Sequence, residues 1–281
     1  MIHSSSKFIS LSLVAAALVA SPTAARAQGS NPLLPVPSAS PGAGLADVWR
    51  TSPGTGNGSP MAFGTAMGDI FVSGVWQNEI RGTKVAPATF TKNGVDDGSI
   101  SVGFGLGDAV QEIGLTTVFT MLSPFRPGSR RKNAVSFHAF RNLDPTTVVA
   151  FGIENALVSG GDDGARSYYG VASKVFQSPF TGATWLKAVT MSVGVGNGRF
   201  RTINDVIADE KTANVFGSLA VLVHDQVSLI GDYTGQDLNF GLSIAPFRNC
   251  GFAINPMIVD VTQTAAAKAR FVLGIGYGVH F

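Results

Sequence analysis

The chain has a single cysteine, Cys250, so no internal disulfide can form, and no catalytic partner pattern surrounds that thiol. Charge is scarce: only 14% of the residues are Asp, Glu, Lys or Arg. Long hydrophobic runs are also missing. The one apolar stretch near the start, residues 8–20, is shorter than the roughly 20 residues a spanning helix needs, and no later stretch is longer. A chain of this kind can enter a membrane only as a closed barrel.

That early stretch follows Lys7 and precedes Ala25-Arg26-Ala27, with small residues at the two positions a signal peptidase reads. This is the layout of a cleaved secretory leader over residues 1–27. Lys7 and Arg26 leave with it, and the mature chain carries 18 basic against 18 acidic residues. No basic patch or stripe points to nucleic acid as a partner. Residues 28–67 form a Pro-, Gly- and Ser-rich tract, with Pro32, Pro35, Pro37, Pro41, Pro53 and Pro60. Such a tract has few ways to build a core and reads as a flexible segment. Within it only residues 45–49 have the character of a short docking turn.

From residue 68 to 281 the pattern changes to alternation at period two, broken by turn residues. The clearest case is the ending, where Phe271, Leu273, Ile275, Tyr277, Val279 and Phe281 alternate with Val272, Gly274, Gly276, Gly278 and His280. Twelve strands fit the length, at ~10 residues each plus a turn, although ten or fourteen also fit. The first and eleventh strands are the least regular, the eleventh because of Pro256. The outward apolar sets include Val102 and Phe104, Phe119 and Met121, Phe151 and Ile153, Tyr169 with Val171 and Val175, Met191 and Val193, and Phe240 and Leu242. With an even strand count, the longer connections, among them 78–98 and 196–213, fall on one side. The expectation is an all-β fold: an antiparallel transmembrane β-barrel.

The terminal strand resembles that of bacterial outer-membrane β-barrels. In that family a final Phe, an aromatic four residues earlier and apolar residues between them serve as the signal for the barrel-assembly machinery. Leu273, Ile275, Tyr277, Val279 and Phe281 match that pattern residue by residue. The resemblance implies an outer-membrane location, contact with membrane lipid and a passive pore or structural role, with a lipid-modifying enzyme as the alternative. Asp232-Tyr233 followed by Asp237-Leu238-Asn239 is similar to a hairpin of exopolysaccharide-export-associated barrels. That likeness covers one hairpin and implies polysaccharide or small solutes as partners.

The opposite strand face carries small residues, with Glu112, His138, Glu154, Lys174, Asp232 and Asn239 among them. These are the candidates for lining the lumen, either as internally paired charges or as a selectivity element. The same roomy lumen would admit residues 28–60 as a plug. Arg126, Arg130, Arg131 and Lys132 cluster in one outer connection and suit lipopolysaccharide phosphates by simple electrostatics.

No enzyme chemistry is expected. Ser136 and His138 are in phase, but no Asn or acidic residue lies beside them in sequence to orient the imidazole. Asp96-Asp97 and Asp162-Asp163 supply too few ligands for a calcium site. The glycines at 103, 105 and 107 alternate as a strand rather than opening a phosphate-binding helix. Neither a cofactor nor a resident metal is implied.

Overall fold

The computed structural model describes residues 53–79, 83–85, 89–91, 96–124, 132–159, 166–177, 186–248, 250–263 and 269–281. Among them, twelve strands close into one antiparallel barrel. In chain order these are β1 (Asp69–Gln77), β4 (Asp97–Gly107), β5 (Gly114–Leu122), β6 (Lys132–Asp144), β7 (Thr147–Ser159) and β8 (Ser167–Gln177). They continue with β9 (Ala188–Gly196), β10 (Asn214–His224), β11 (Val227–Tyr233), β12 (Leu238–Ile244), β13 (Gly251–Val259) and β14 (Arg270–His280). Two short strands, β2 (Thr83–Val85) and β3 (Thr89–Thr91), pair with each other in the connection from β1 to β4.

Each barrel strand pairs with its sequence neighbour, as a meander requires, and β1 closes on β14. At one end of that closing seam Asp69 pairs with His280, and the Phe281 N–H donates to the Gly68 carbonyl at 2.9 Å. At the other end the Asn78 N–H donates to the Phe271 carbonyl at 3.1 Å. We call the end where the chain enters β1 and leaves β14 the terminal end, and the opposite one the far end. The two longest connections, 78–96 and 197–213, both lie at the far end. Turns at the terminal end include the two-residue links between β6 and β7 and between β10 and β11.

The exterior is apolar. Phe119 is 50% exposed and Phe240 54%, and Val102, Phe151, Met191, Val193, Leu219, Leu229 and Ile258 are also exposed. A belt of this kind is far larger than the apolar patches soluble monomers show. The alternation assigns faces as the sequence predicts on every strand but one. On β8 the inward residues are Tyr169, Val171 and Val175, while Tyr168 and Phe176 face out. A shift of one residue turns every side chain of a strand to the other face. Here the interior is itself a hydrophobic core: Tyr169, Val171 and Val175 pack with Phe140, Phe200 and Phe216. Apolar character therefore fails to mark the outside of this strand.

Pro256 lies within β13, as the interrupted pattern around it indicates. Its pairing with β14 is regular, but the ladder to β12 holds at Phe240–Ile258, Gly241–Met257 and Ile244–Ile254 with a gap between. A proline has no N–H to give to that ladder.

Candidate functional site: the occupied lumen

A twelve-strand barrel encloses more space than small side chains fill. Much of the inner wall is Ser, Gly or Ala, and the space is taken by the chain itself. Residues 53–65, which belong to the segment expected to be flexible or, up to residue 60, to plug the lumen, are all buried. Pro53 and Thr55 border a small cavity with Ala188, Ala220 and Ser228, near the terminal end. The Gly54 N–H donates to Ser243 Oγ at 2.6 Å. The segment then rises to the far half of the barrel, where Gly58 and Ser59 meet Asp232. It returns past Ala62, whose N–H donates to Ser173 Oγ at 2.8 Å, and Thr65, whose N–H donates to Thr116 Oγ1 at 2.7 Å. It joins β1 after a bridge between Met67 and Gly105. Both limbs of this plug therefore run to the terminal end.

The composition of wall and plug explains why this arrangement holds. A segment without regular structure carries backbone donors that must be paired when buried. Hydroxyls of Ser243, Ser173 and Thr116 and the Asp232 carboxylate accept them. Pro53 and Pro60 bring no donor. Met61, Ala62 and Phe63 anchor the return limb in the ring cluster of Phe140, Tyr169, Phe200 and Phe216. Burying a Met or Phe side chain contributes about 1.5–3 kcal/mol each. Gly105 lets the backbone approach, because a Cβ there would sit 2.1 Å from the Ala66 carbonyl oxygen.

The plug tip is held by ions. Asp232, 2% exposed, accepts from the N–H groups of Gly58 and Ser59, the latter at 2.7 Å, and from Asn239 Nδ2 at 2.8 Å. The Asn239 Oδ1 in turn accepts from the Asp260 N–H at 2.9 Å. Glu154 pairs with Arg199, whose Nη1 donates to the Gly58 carbonyl at 3.1 Å. Arg199 comes from the long connection 197–213, which carries a six-residue helix, α1 (Ile203–Ala208). That connection folds over the far end, with the Phe200 ring stacked on Phe216 at 4.4 Å. The Arg199 carbonyl accepts from Gln236 Nε2 at 2.8 Å, which ties the connection to the β11–β12 turn. A second buried ion pair, Arg270 with Asp237 at 3.2 Å, stands beside the same turn.

Of the lumen candidates, His138, Glu154, Asp232 and Asn239 are interior. His138 bonds Tyr169 Oη at 2.8 Å and the Ala62 carbonyl at 3.2 Å, so it touches the plug rather than a carboxylate. Its neighbour in phase, Ser136, has its Oγ accepting from the Asn155 N–H at 3.0 Å. Two candidates need correction. Glu112 is exposed in the β4–β5 turn, beyond the end of the wall. Lys174 is on the exterior of β8, a consequence of that strand's reversed facing, and its ammonium pairs with Asp144 at 3.8 Å in the terminal-end turn. It cannot balance charge inside the lumen. Arg199, Arg270 and Asp237 are among the buried charges that alternation misses, with Asp69, Asp97 and Asp260, since all of them lie in connections or at a strand's first residue.

Leu273, Ile275, Tyr277 and Val279 project outward from β14, and Phe281 follows them at 80% exposure. Arg126, Arg130 and Arg131 lie outside the described residues, and Lys132 opens β6 at the far end. At the terminal end, a hydrogen bond from Lys187 holds the Asp225 carboxyl below the usual carboxylate range, with the charges of Lys187 and Arg248 adding to it.

Neither a protein-family model nor a curated protein matches the sequence. Among solved structures, the chain is similar to the N-terminal β-barrel domain of OprF from Pseudomonas aeruginosa. Identity is 11%, the match covers 76% of this chain and 100% of that one, and the TM-score is 0.22. The barrel assignment stands on this chain's own strand ladder.

Proposed function

We propose that this protein is a passive outer-membrane barrel whose lumen is held shut by its own N-terminal hairpin, a structural barrel rather than an open pore. The observation that carries this reading is the burial of residues 53–65 between inner walls that supply their hydrogen-bond partners. The apolar exterior belt and the leader-like first 27 residues support export to a lipid environment. In this reading the terminal end faces the periplasm and the long connections face outward. The terminal strand serves the assembly machinery, and the basic residues around Lys132 meet lipopolysaccharide phosphates. A solute or polysaccharide would cross only if the plug moved.

Conductance in planar bilayers tests the proposal. The mature chain should be silent, and a chain lacking residues 28–66 should conduct. Steady conductance of equal size from both would overturn it.

A further inference from the structure

Among the described residues, the exterior belt carries a recess. Over β10–β14 the wall carries a groove of about 630 Å³, and every residue that lines it is apolar. Two strand rows define it. In one row Leu219 pairs with Gly231, Gly231 with Phe240, Phe240 with Ile258, and Ile258 with Phe271. Gly231 leaves a gap in this row, and the Phe240 ring leans into it, with Cε1 3.2 Å from where a Cβ of Gly231 would be. The ring is thereby drawn away from the β12–β13 seam. That is the seam where the ladder is interrupted beside Pro256. Besides exterior residues, the groove reaches Ile230 and Met257, which are buried in the wall. Behind it Gly241 is backed by the plug, because a Cβ there would sit 2.6 Å from Asn57 Nδ2.

We propose that this groove is a specific binding site for one hydrocarbon chain of a membrane lipid. It rests on the reading of the exterior as lipid-facing. Three observations select this occupant. The groove is continuous with the apolar belt, so the molecules already in contact with that belt are lipid chains. It offers no polar side chain to recognise a headgroup, a peptide backbone or a solute. Its floor is the paired backbone at Ile230, Gly241 and Met257, and this recess between outward side chains suits a slender chain better than the convex belt of a second barrel.

Photolabelling tests the site. The mature protein is placed in phosphatidylethanolamine–phosphatidylglycerol vesicles containing a trace of phosphatidylethanolamine with a diazirine midway along one acyl chain. After irradiation, adducts are mapped by peptide mass spectrometry. The β12 and β13 peptides should carry adducts about tenfold above those of β5 and β7. In Gly231→Leu the Phe240 ring is pushed back over the seam, and in Ile258→Trp the groove is filled from β13. Either variant should bring the labelling down to the level of β5 and β7. Even labelling of all four strands would overturn the site while leaving the lipid-facing reading intact. Labelling of none would overturn both. Labelling of β5 and β7 with β12 and β13 protected, the protection being lost as the protein is diluted in the vesicles, would put a second copy in the groove and overturn the proposal.

Discussion

Arg199 and Glu154 form a buried ion pair that also grips the plug: Nη2 donates to Glu154 Oε1 at 2.9 Å while Nη1 donates to the Gly58 carbonyl. The two residues are 45 positions apart, on a connection and on β7. One guanidinium thus joins the far-end connection, the barrel wall and the plug tip. Removing one partner leaves the other charge buried and unpaired. Arg199→Ala should lower unfolding stability in detergent by on the order of 3 kcal/mol. Glu154→Gln with Arg199→Met should recover part of it, since neither charge then remains. Urea midpoints read as apparent stabilities check this, and a double variant as unstable as Arg199→Ala would contradict it.

Asp232 should act as the catch for the tip. In Asp232→Ala the Gly58 and Ser59 N–H groups lose their acceptor. A thiol placed by Ser59→Cys, in a Cys250→Ser background, should react with a water-soluble maleimide much faster when Asp232 is also replaced. Equal rates in the two backgrounds would show that the carboxylate does not hold the plug.

The two faces of β12 should answer differently to the same substitution. Leu242→Arg puts charge on the lipid-facing side, at about 2–4 kcal/mol near the midplane. Ser243→Arg enters the lumen, where Ser243 is wholly buried against Gly54. It should leave membrane insertion intact yet displace the first plug limb. Heat-modifiability on gels reports insertion, and protease cleavage after residue 53 reports displacement.

Acid should loosen the far-end connection. Asp205 accepts from Thr212 Oγ1 at 2.7 Å and forms a capping box with Thr202. Those hydrogen bonds hold its carboxyl below the usual range. A depressed folded-state pKa means stabilisation that is full above the unfolded value of about 3.9 and is lost as pH falls through the folded value. Hydrogen-exchange protection over residues 202–212, taken relative to the intrinsic rate at each pH, should fall below about pH 4. Asp205→Ala should show low protection at every pH; an unchanged pH profile of protection in that variant would assign the effect to another group.

The terminal strand should govern assembly. Replacing Tyr277 and Phe281 by Ser should lower the yield of inserted protein and leave unfolded protein in the periplasm. Phe281 is largely exposed beyond the last pairing, so the loss should exceed any change in the stability of barrel that does form. Wild-type insertion by the double variant would refute the assembly role.

Much of the architecture is written in local chemistry. Alternation along Ile100–Leu106 or Leu238–Ile244 marks an outer and an inner face because side chains on a strand point to opposite sides. Turn residues divide the chain into the strands that pair with their neighbours. The reversed facing of β8 shows the limit, for Tyr168-Tyr169 and Val175-Phe176 place apolar residues on both faces. Only knowing that Tyr169 meets Phe200 and Phe216 inside decides between them.

The sequence by itself determined an all-β meander with an apolar exterior and a small-residue interior, because those properties follow from the order of residues a few positions apart. What occupies the interior was decided only by the tertiary structure. Residues 53–65 have no periodicity of their own, and their partners Asp232, Ser243, Ser173 and Thr116 lie 51 to 189 positions away. Pairing of buried backbone donors over such separations exists only once the barrel has closed around them.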